Sequence, residues 1–268
     1  MSDRYAAFRV LHRPGRPLLL PNAWDAASAA ALAARGHPAI GTTSLGVAAA
    51  GGKPDAAAAT RTENLELARR LRGLPALLTV DVEGGFSDDP AAVAGYVAEL
   101  AALGVVGINL EDGRPDDTLA PVELMAAKIE AVRAATPGLF LNARTDAWWC
   151  GVPEPLEQAL HRVRAYREAG ADGIFVPAAP DDTVGLLAAE VGLPLNVLHR
   201  PAGPGPAELG RLGVARVSTG SLLFRAALGA ALDLADAVRA GRDGETGGVP
   251  SYGWVQGLAG RFGTDHTG

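Results

Sequence analysis

The run Leu100-Ala101-Ala102-Leu103-Gly104-Val105-Val106-Gly107-Ile108-Asn109-Leu110-Glu111-Asp112 passes from an Ala/Leu helix through a glycine into a short apolar segment that ends in polar side chains. Glycine suits the left-handed position that stops a helix, and a nearly continuous apolar run reads as a strand buried on both faces. The same pattern recurs after Gly36, Gly73, Gly170, Gly192 and Gly213, placing strands at 39–42, 76–80, 105–110, 173–176, 195–198 and 215–218. Two more complete the set, one at 18–20 and one at 139–141 behind a helix stopped by Thr136-Pro137-Gly138. Helix starts are read at Asn22, ahead of a helix from about Trp24, at Asp89-Pro90 and, with a weaker cap, at Glu154-Pro155. Eight strands alternating with eight helices predict an α/β fold with an all-parallel sheet covered by helices. Their number and spacing favour a closed (β/α)8 TIM barrel, although strand count alone does not exclude an open doubly wound sheet.

Outward from that frame, no linker or compositional break divides the 268 residues, so residues 1–268 read as one barrel domain with a tail at 242–268. The tail is rich in Gly and polar residues, and Tyr252, Trp254 and Phe262 predict that it docks. Hydrophobic residues at 48% are enough for a large core. A net charge of −6 lacks the basic face that a nucleic-acid binder needs. The single cysteine, Cys150, cannot close an internal disulfide and fits a reducing compartment. The start, Met1-Ser2-Asp3-Arg4, has no secretory pattern, and no stretch approaches the roughly 20 apolar residues that span a bilayer. These readings predict a cytoplasmic protein without nucleic-acid or membrane partners.

Parallel barrels carry their chemistry at the carboxyl ends of the strands. Those ends read Thr42-Thr43-Ser44, Asp81-Val82-Glu83, Asn109-Leu110-Glu111-Asp112 and Asn142-Ala143-Arg144-Thr145-Asp146, followed by Asn196 and His199, then Ser218, Thr219 and Ser221. Side chains two apart on a strand share a face, which pairs Asp81 with Glu83, Asn109 with Glu111 and Asn142 with Arg144. Carboxylates crowded at one mouth repel unless a cation sits among them. An oxygen-only donor set without a Cys or His cluster favours Mg2+, with Mn2+ as the alternative. Arg144 adds a fixed cation for a carboxylate or enolate oxygen. Thr43-Ser44-Leu45-Gly46 could offer backbone N–H groups to an anion, or be an ordinary turn.

These stretches resemble the isocitrate lyase and phosphoenolpyruvate mutase superfamily. The resemblance runs from Pro21-Asn22-Ala23-Trp24-Asp25 to about Arg239. Its most specific pieces are 43–50 followed by Pro54-Asp55, then Asp81-Val82-Glu83-Gly84-Gly85-Phe86, Asn109-Leu110-Glu111-Asp112 and Ala143-Arg144-Thr145-Asp146. It implies a barrel that binds Mg2+ and a small 2-oxo acid or its enolate and makes or breaks a C–C or P–C bond beside the pyruvyl unit. By this resemblance Asp81 holds the metal most directly, and Asp55, Glu83 and Glu111 reach it directly or through water. Thr43, Ser44 and Leu45 grip the substrate carboxylate, and Arg144 faces the enolate oxygen. It also implies that the last long helix is exchanged between subunits, giving dimers that pair into tetramers.

The sequence departs from that family at the loop after the fourth strand. Lyases of the superfamily carry Lys-Lys-Cys-Gly-His there, with the cysteine as acid or base. This loop reads Gly113-Arg114-Pro115-Asp116-Asp117-Thr118-Leu119-Ala120, and Pro177 stands where members use Glu or His. Thr118, Asp116 and Asp117 are the loop's remaining candidates for proton transfer. Cys150 lies beyond the fifth strand, away from the lost position, and reads as a packing thiol with no adjacent cation. Asn196 is expected to contact substrate, and His12, His37, His161 and His266 to be exposed. The expected activity is an Mg2+-dependent lyase or decarboxylase on a small 2-oxo acid or 2-hydroxy dicarboxylate. The alternatives are a phosphonopyruvate-type P–C enzyme and a 2-oxo acid binding protein with little catalysis.

Overall fold

The computed structural model describes residues 3–262. Its elements run α1 (Asp3–Arg9), β1 (Leu18–Leu20), β2 (Asn22–Ala23), α2 (Ala26–Ala34), β3 (Ala39–Thr42), α3 (Ser44–Ala50), α4 (Arg61–Arg70), β4 (Leu77–Asp81), α5 (Pro90–Ala102), β5 (Gly107–Glu111), α6 (Val122–Ala135) and β6 (Phe140–Arg144). They continue as α7 (Pro155–Glu168), β7 (Gly173–Phe175), α8 (Asp181–Glu190), β8 (Leu195–Leu198), α9 (Pro206–Arg211), β9 (Arg216–Ser218), α10 (Leu222–Arg239), α11 (Tyr252–Gln256) and a 3-10 turn, Gly257–Arg261.

All strand pairings are parallel, in the order β1-β9-β8-β7-β6-β5-β4-β3-β2. β1 and β2 are two halves of one extended segment interrupted at Pro21, which has no N–H to give the ladder. The first half pairs with β9 and the second with β3, while the Pro21 carbonyl accepts from the Gly41 amide at 2.9 Å. The ring therefore closes through this segment, as a TIM barrel requires.

Asn22 fastens that junction rather than capping a helix. Its side-chain oxygen accepts from the amides of Thr219 (3.0 Å) and Gly220 (2.9 Å), and its nitrogen donates to the Thr42 carbonyl at 2.7 Å. The cap of α2 is Asp25, in a reciprocal capping box with Ser28. Asp89 caps α5 with proline at the first helical position, as the sequence predicts.

The amino end of the barrel is plugged by α1. Phe8 and Tyr5 pack with Leu18, Leu20, Ala39, Val106 and Phe140 in a small core of their own. His12, expected at the surface, is buried there: it stacks on Phe140 at 4.2 Å, its Nδ1 bonds the Phe8 carbonyl, and burial pushes its pKa down to about 3. The main core lies between strands and helices, from Ala23 to Leu258. Inside the barrel, Gly107 and Gly173 leave space that side chains occupy: a Cβ on either would lie 2.9 Å from Phe8 or Asn142.

The tail docks through one of the three aromatics expected, Phe262, together with Leu258. Tyr252 is 85% exposed and Trp254 38%, while Leu258 is buried and Phe262 packs against the core. His266 lies outside the described residues. No helix among the described residues is long and apolar enough to cross a membrane.

Candidate active site at the carboxyl end of the barrel

A cavity of about 440 Å³ opens at the carboxyl ends of the strands. Its floor and walls include Asp81, Asn109, Glu111, Arg144 and Asp146; Thr43, Ser44 and Leu45 form one side, and Asp55 enters from the loop after α3. Opposite stand Gly113, Arg114, Pro115 and Asp117 of the short loop after β5, with Trp149 and Cys150 beyond β6. Strand register explains the floor, because Asp81 pairs with Asn109, Asn109 with Asn142, and Glu111 with Arg144.

Arg144 is the electrostatic centre. Its Nη1 lies 2.7 Å from Oε2 of Glu111 and its Nε 2.7 Å from Oδ1 of Asp146, and its guanidinium carbon lies 5.5 Å from the Phe175 ring centroid and 5.8 Å from that of Trp149. Burial opposes its charge, but Asp146, Glu111 and Asp81 outweigh that and raise its pKa. Asp146 is itself set by Asp112, whose Oδ1 accepts from the Asp146 amide at 2.8 Å. The other oxygen of Asp112 takes Tyr166 and Arg162, so Asp112 faces α7 and supports the site from behind.

Asp81 accepts one bond, at 3.3 Å from the Glu83 amide, and otherwise faces the cavity. Burial pushes its pKa up to about 6, against Arg144 and helped by Glu83 and Asp55. Burial likewise holds Glu111 well above the usual carboxylate range, again with Arg144 opposing. Glu83 does not share the face of Asp81. β4 ends at Asp81, and Glu83 adopts φ +49°, which sends its carboxylate to the Thr60 hydroxyl (2.6 Å) and the Ala58 amide (3.0 Å). There it lines an adjoining hollow and ties down the loop that carries Asp55.

Thr43 precedes α3, and Ser44 and Leu45 begin it, so their stretch is a helix start rather than a plain turn. The first-turn amides of a helix have no intrahelical acceptor. Asn196 lies below the cavity, its oxygen accepting from Ser218 at 3.0 Å. Thr118 is exposed and its hydroxyl donates to Asp116 at 2.6 Å, so it shapes the loop. Cys150 does reach the cavity, with its sulfur 3.8 Å from the Thr118 carbonyl, and burial together with Asp146 pushes its thiol up to about 11. Ser221, read from the sequence at the last strand's end, lines the cavity at the start of α10, and two residues that the sequence did not single out join it: Arg225, which lines the cavity from the same helix, and Arg216, fully buried inside the barrel.

No group of three or more His, Cys, Asp or Glu side chains among the described residues is already gathered as a metal cage. The donor chemistry nevertheless fits a hard divalent ion. Asp81, Glu111 and Asp146 are buried carboxyl groups lining the cavity, and Arg144 is the guanidinium paired among them, so oxygen donors outnumber the cation they hold. Mg2+ keeps several waters and needs only one or two direct carboxylates.

Residues 8–239 match the family model described as phosphoenolpyruvate phosphomutase. An uncharacterized protein of Mycobacterium tuberculosis is 46% identical over 240 residues, covering 89% of this chain and 90% of that one. The 2-methylisocitrate lyase of Salmonella typhimurium is 35% identical over 184 residues, 64% of this chain and 61% of its own. The solved structure of a phosphonopyruvate hydrolase in complex with oxalate and Mg2+ superposes with a TM-score of 0.83 at 26% identity, covering 97% of this chain and 95% of that one. With the barrel, the cavity at its mouth and a family match over most of its length, the chain belongs to the phosphoenolpyruvate phosphomutase family, within the isocitrate lyase and phosphoenolpyruvate mutase superfamily of lyases, mutases and hydrolases.

Proposed function

We propose that this protein is a divalent-cation-dependent lyase or decarboxylase that acts on a small 2-oxo acid or 2-hydroxy dicarboxylate through an enolate. The observation that carries the reading is Arg144, clamped by Glu111 and Asp146 at the edge of a cavity whose floor holds Asp81. Asp81 would hold Mg2+ or Mn2+ most directly, with Glu111, Asp55 and Glu83 reaching it directly or through water. When bound, the ion neutralises charge on the substrate's oxo and carboxylate oxygens.

The chain's own residues perform the rest. Thr43, Ser44 and Leu45 bind the substrate carboxylate on the side opposite the short loop. In oxaloacetate, the bond from C3 to the distal carboxylate breaks, CO2 leaves, and the electron pair stays as the enolate of pyruvate. Negative charge then gathers on the former keto oxygen, where the fixed guanidinium of Arg144 stabilises it as it develops. Glu111 and Asp146 hold that guanidinium in place, and the rings of Phe175 and Trp149 add cation–π attraction to it. Protonation at C3 completes pyruvate; Asp117 and Cys150 are the titratable groups on the loop side of the cavity, and the Cys150 thiol is held protonated.

The test is pyruvate release from oxaloacetate as a function of Mg2+, with Asp81→Ala as control. Mg2+-dependent turnover that the substitution abolishes is the expected outcome. Equal rates in both proteins would remove the mechanism, and phosphate release from phosphonopyruvate in its place would move the reaction to a P–C bond.

A further inference from the structure

The barrel floor contains an amide whose orientation is fixed from below. Asn109 stands on β5 between Asp81 on β4 and Asn142 on β6, in register with both. Its side-chain oxygen accepts two hydrogen bonds at 2.9 Å, from Nδ2 of Asn142 and from Nη2 of Arg216. Only the carbonyl end of an amide accepts, so two donors on one atom settle which end is oxygen and turn the –NH2 end the other way. That direction is the cavity, which Asn109 lines, and the nitrogen donates to no protein acceptor among the described residues.

Arg216 is costly to keep where it is. It is 0% exposed, and no carboxylate among the described residues lies within ion-pair distance of it. Its remaining bond is 3.3 Å from Nε to Ser218, and Nη1 has no partner. Burial opposes the charge of a cation without an ion-pair partner, and filling the barrel does not require one. What it does achieve here is local: a cation on the amide oxygen polarises the amide and strengthens its N–H groups as donors.

We propose that Asn109 is a substrate-binding residue, its amide nitrogen donating from the cavity floor to a carboxylate or keto oxygen of the 2-oxo acid, and that Arg216 and Asn142 are the positioning residues that hold it so. The inference rests on the 2-oxo acid reading of the cavity and adds to it the group that reads the substrate's oxygens from beneath.

The probe is oxalate, titrated by calorimetry in the presence of Mg2+ into wild type, Asn109→Ala, Arg216→Met and the double variant, beside Mg2+ titrations without oxalate. One hydrogen bond to a charged acceptor corresponds to about 10- to 100-fold in affinity, and Asn109→Ala is expected to lose that much for oxalate while binding Mg2+ alone as wild type does. Arg216→Met should lose a similar amount, and the double variant no more than either single one, because Arg216 acts through Asn109. A merely structural Arg216 would give losses that add. Should Arg216→Met not fold, Arg216→Lys, which keeps the charge and loses the fork, carries the same cycle. Unchanged oxalate affinity in Asn109→Ala, or full additivity, overturns the inference while leaving the 2-oxo acid reading intact. Wild type that binds no oxalate with Mg2+ present overturns that reading and the inference with it.

Discussion

Burial holds the Asp81 carboxyl at about pH 6, against an ordinary 3.8, even though Arg144 pulls the other way. The folded value lies above the unfolded one, so between roughly pH 4 and pH 6 the folded chain carries more of this proton than the unfolded chain. For the cation-free protein, the Asp81 contribution to stability therefore falls as pH rises through that window and stays low above it. Asp81→Asn removes the charge at constant size, and in cation-free buffer at pH 8 it should melt several degrees above wild type. Adding Mg2+ should raise the wild-type midpoint and leave the variant unmoved; calorimetric melts check both, and a variant that melts lower would contradict the electrostatic account. At Arg144, lysine keeps the charge but cannot span Glu111 and Asp146 together, so Arg144→Lys should cut kcat/KM about 100-fold or more, a loss steady-state kinetics would read directly. Asp81, Glu111 and Arg144 were legible because they stand at strand ends. Arg216 was not, because one charge inside an apolar run leaves the strand pattern intact, and His12 was not, because nothing local announces that α1 enters the barrel.

Strand positions were also legible, within three residues at either end, since each helix stop and apolar run is written locally. The break at Pro21 and the turn of Glu83 were not, because both depend on what the neighbouring strand offers. Glu83 illustrates the consequence for an element: one carboxylate holds the loop between α3 and α4 through Thr60 and Ala58. Glu83→Ala should speed hydrogen exchange at the Ala58 amide by at least an order of magnitude and weaken Mg2+ binding through the freed Asp55 loop. Protection at Ala58 equal to wild type would show that the loop is held by other contacts. On the opposite side, the loop after β5 is pinned by the Gly113–Leu119 bridge, the Arg114–Asp88 ion pair and the Cys150 contact. A Cβ at Gly113 would collide with Oδ2 of Asp146. Gly113→Ala should therefore displace Asp146 from Arg144 and lower kcat/KM at least 10-fold, with little change in the melting midpoint, and kinetics paired with melts separate the two effects.

At the scale of the molecule, α10 is left without a neighbour for much of its length. Only Phe224 and Ala237 of its 18 residues are buried, while Leu228, Leu232 and Val238 are 50%, 65% and 64% exposed. An apolar stripe of this kind on a helix about 27 Å long is an unfavourable surface for a monomer. A second copy offering the same stripe would cover it symmetrically, in keeping with the helix exchange that the family resemblance implies. The first turn of the same helix brings Ser221 and Arg225 to the cavity, so assembly and site share one element. Analytical ultracentrifugation of the wild type should therefore find dimers or tetramers at micromolar concentration, and Leu228→Asp with Leu232→Asp should shift the distribution to monomer. Because those two positions lie away from the cavity, the monomeric variant should still bind Mg2+ while kcat/KM falls through a less firmly held Arg225. A wild type that sediments as one chain across that range would mean that α10 is covered by something other than its own copy.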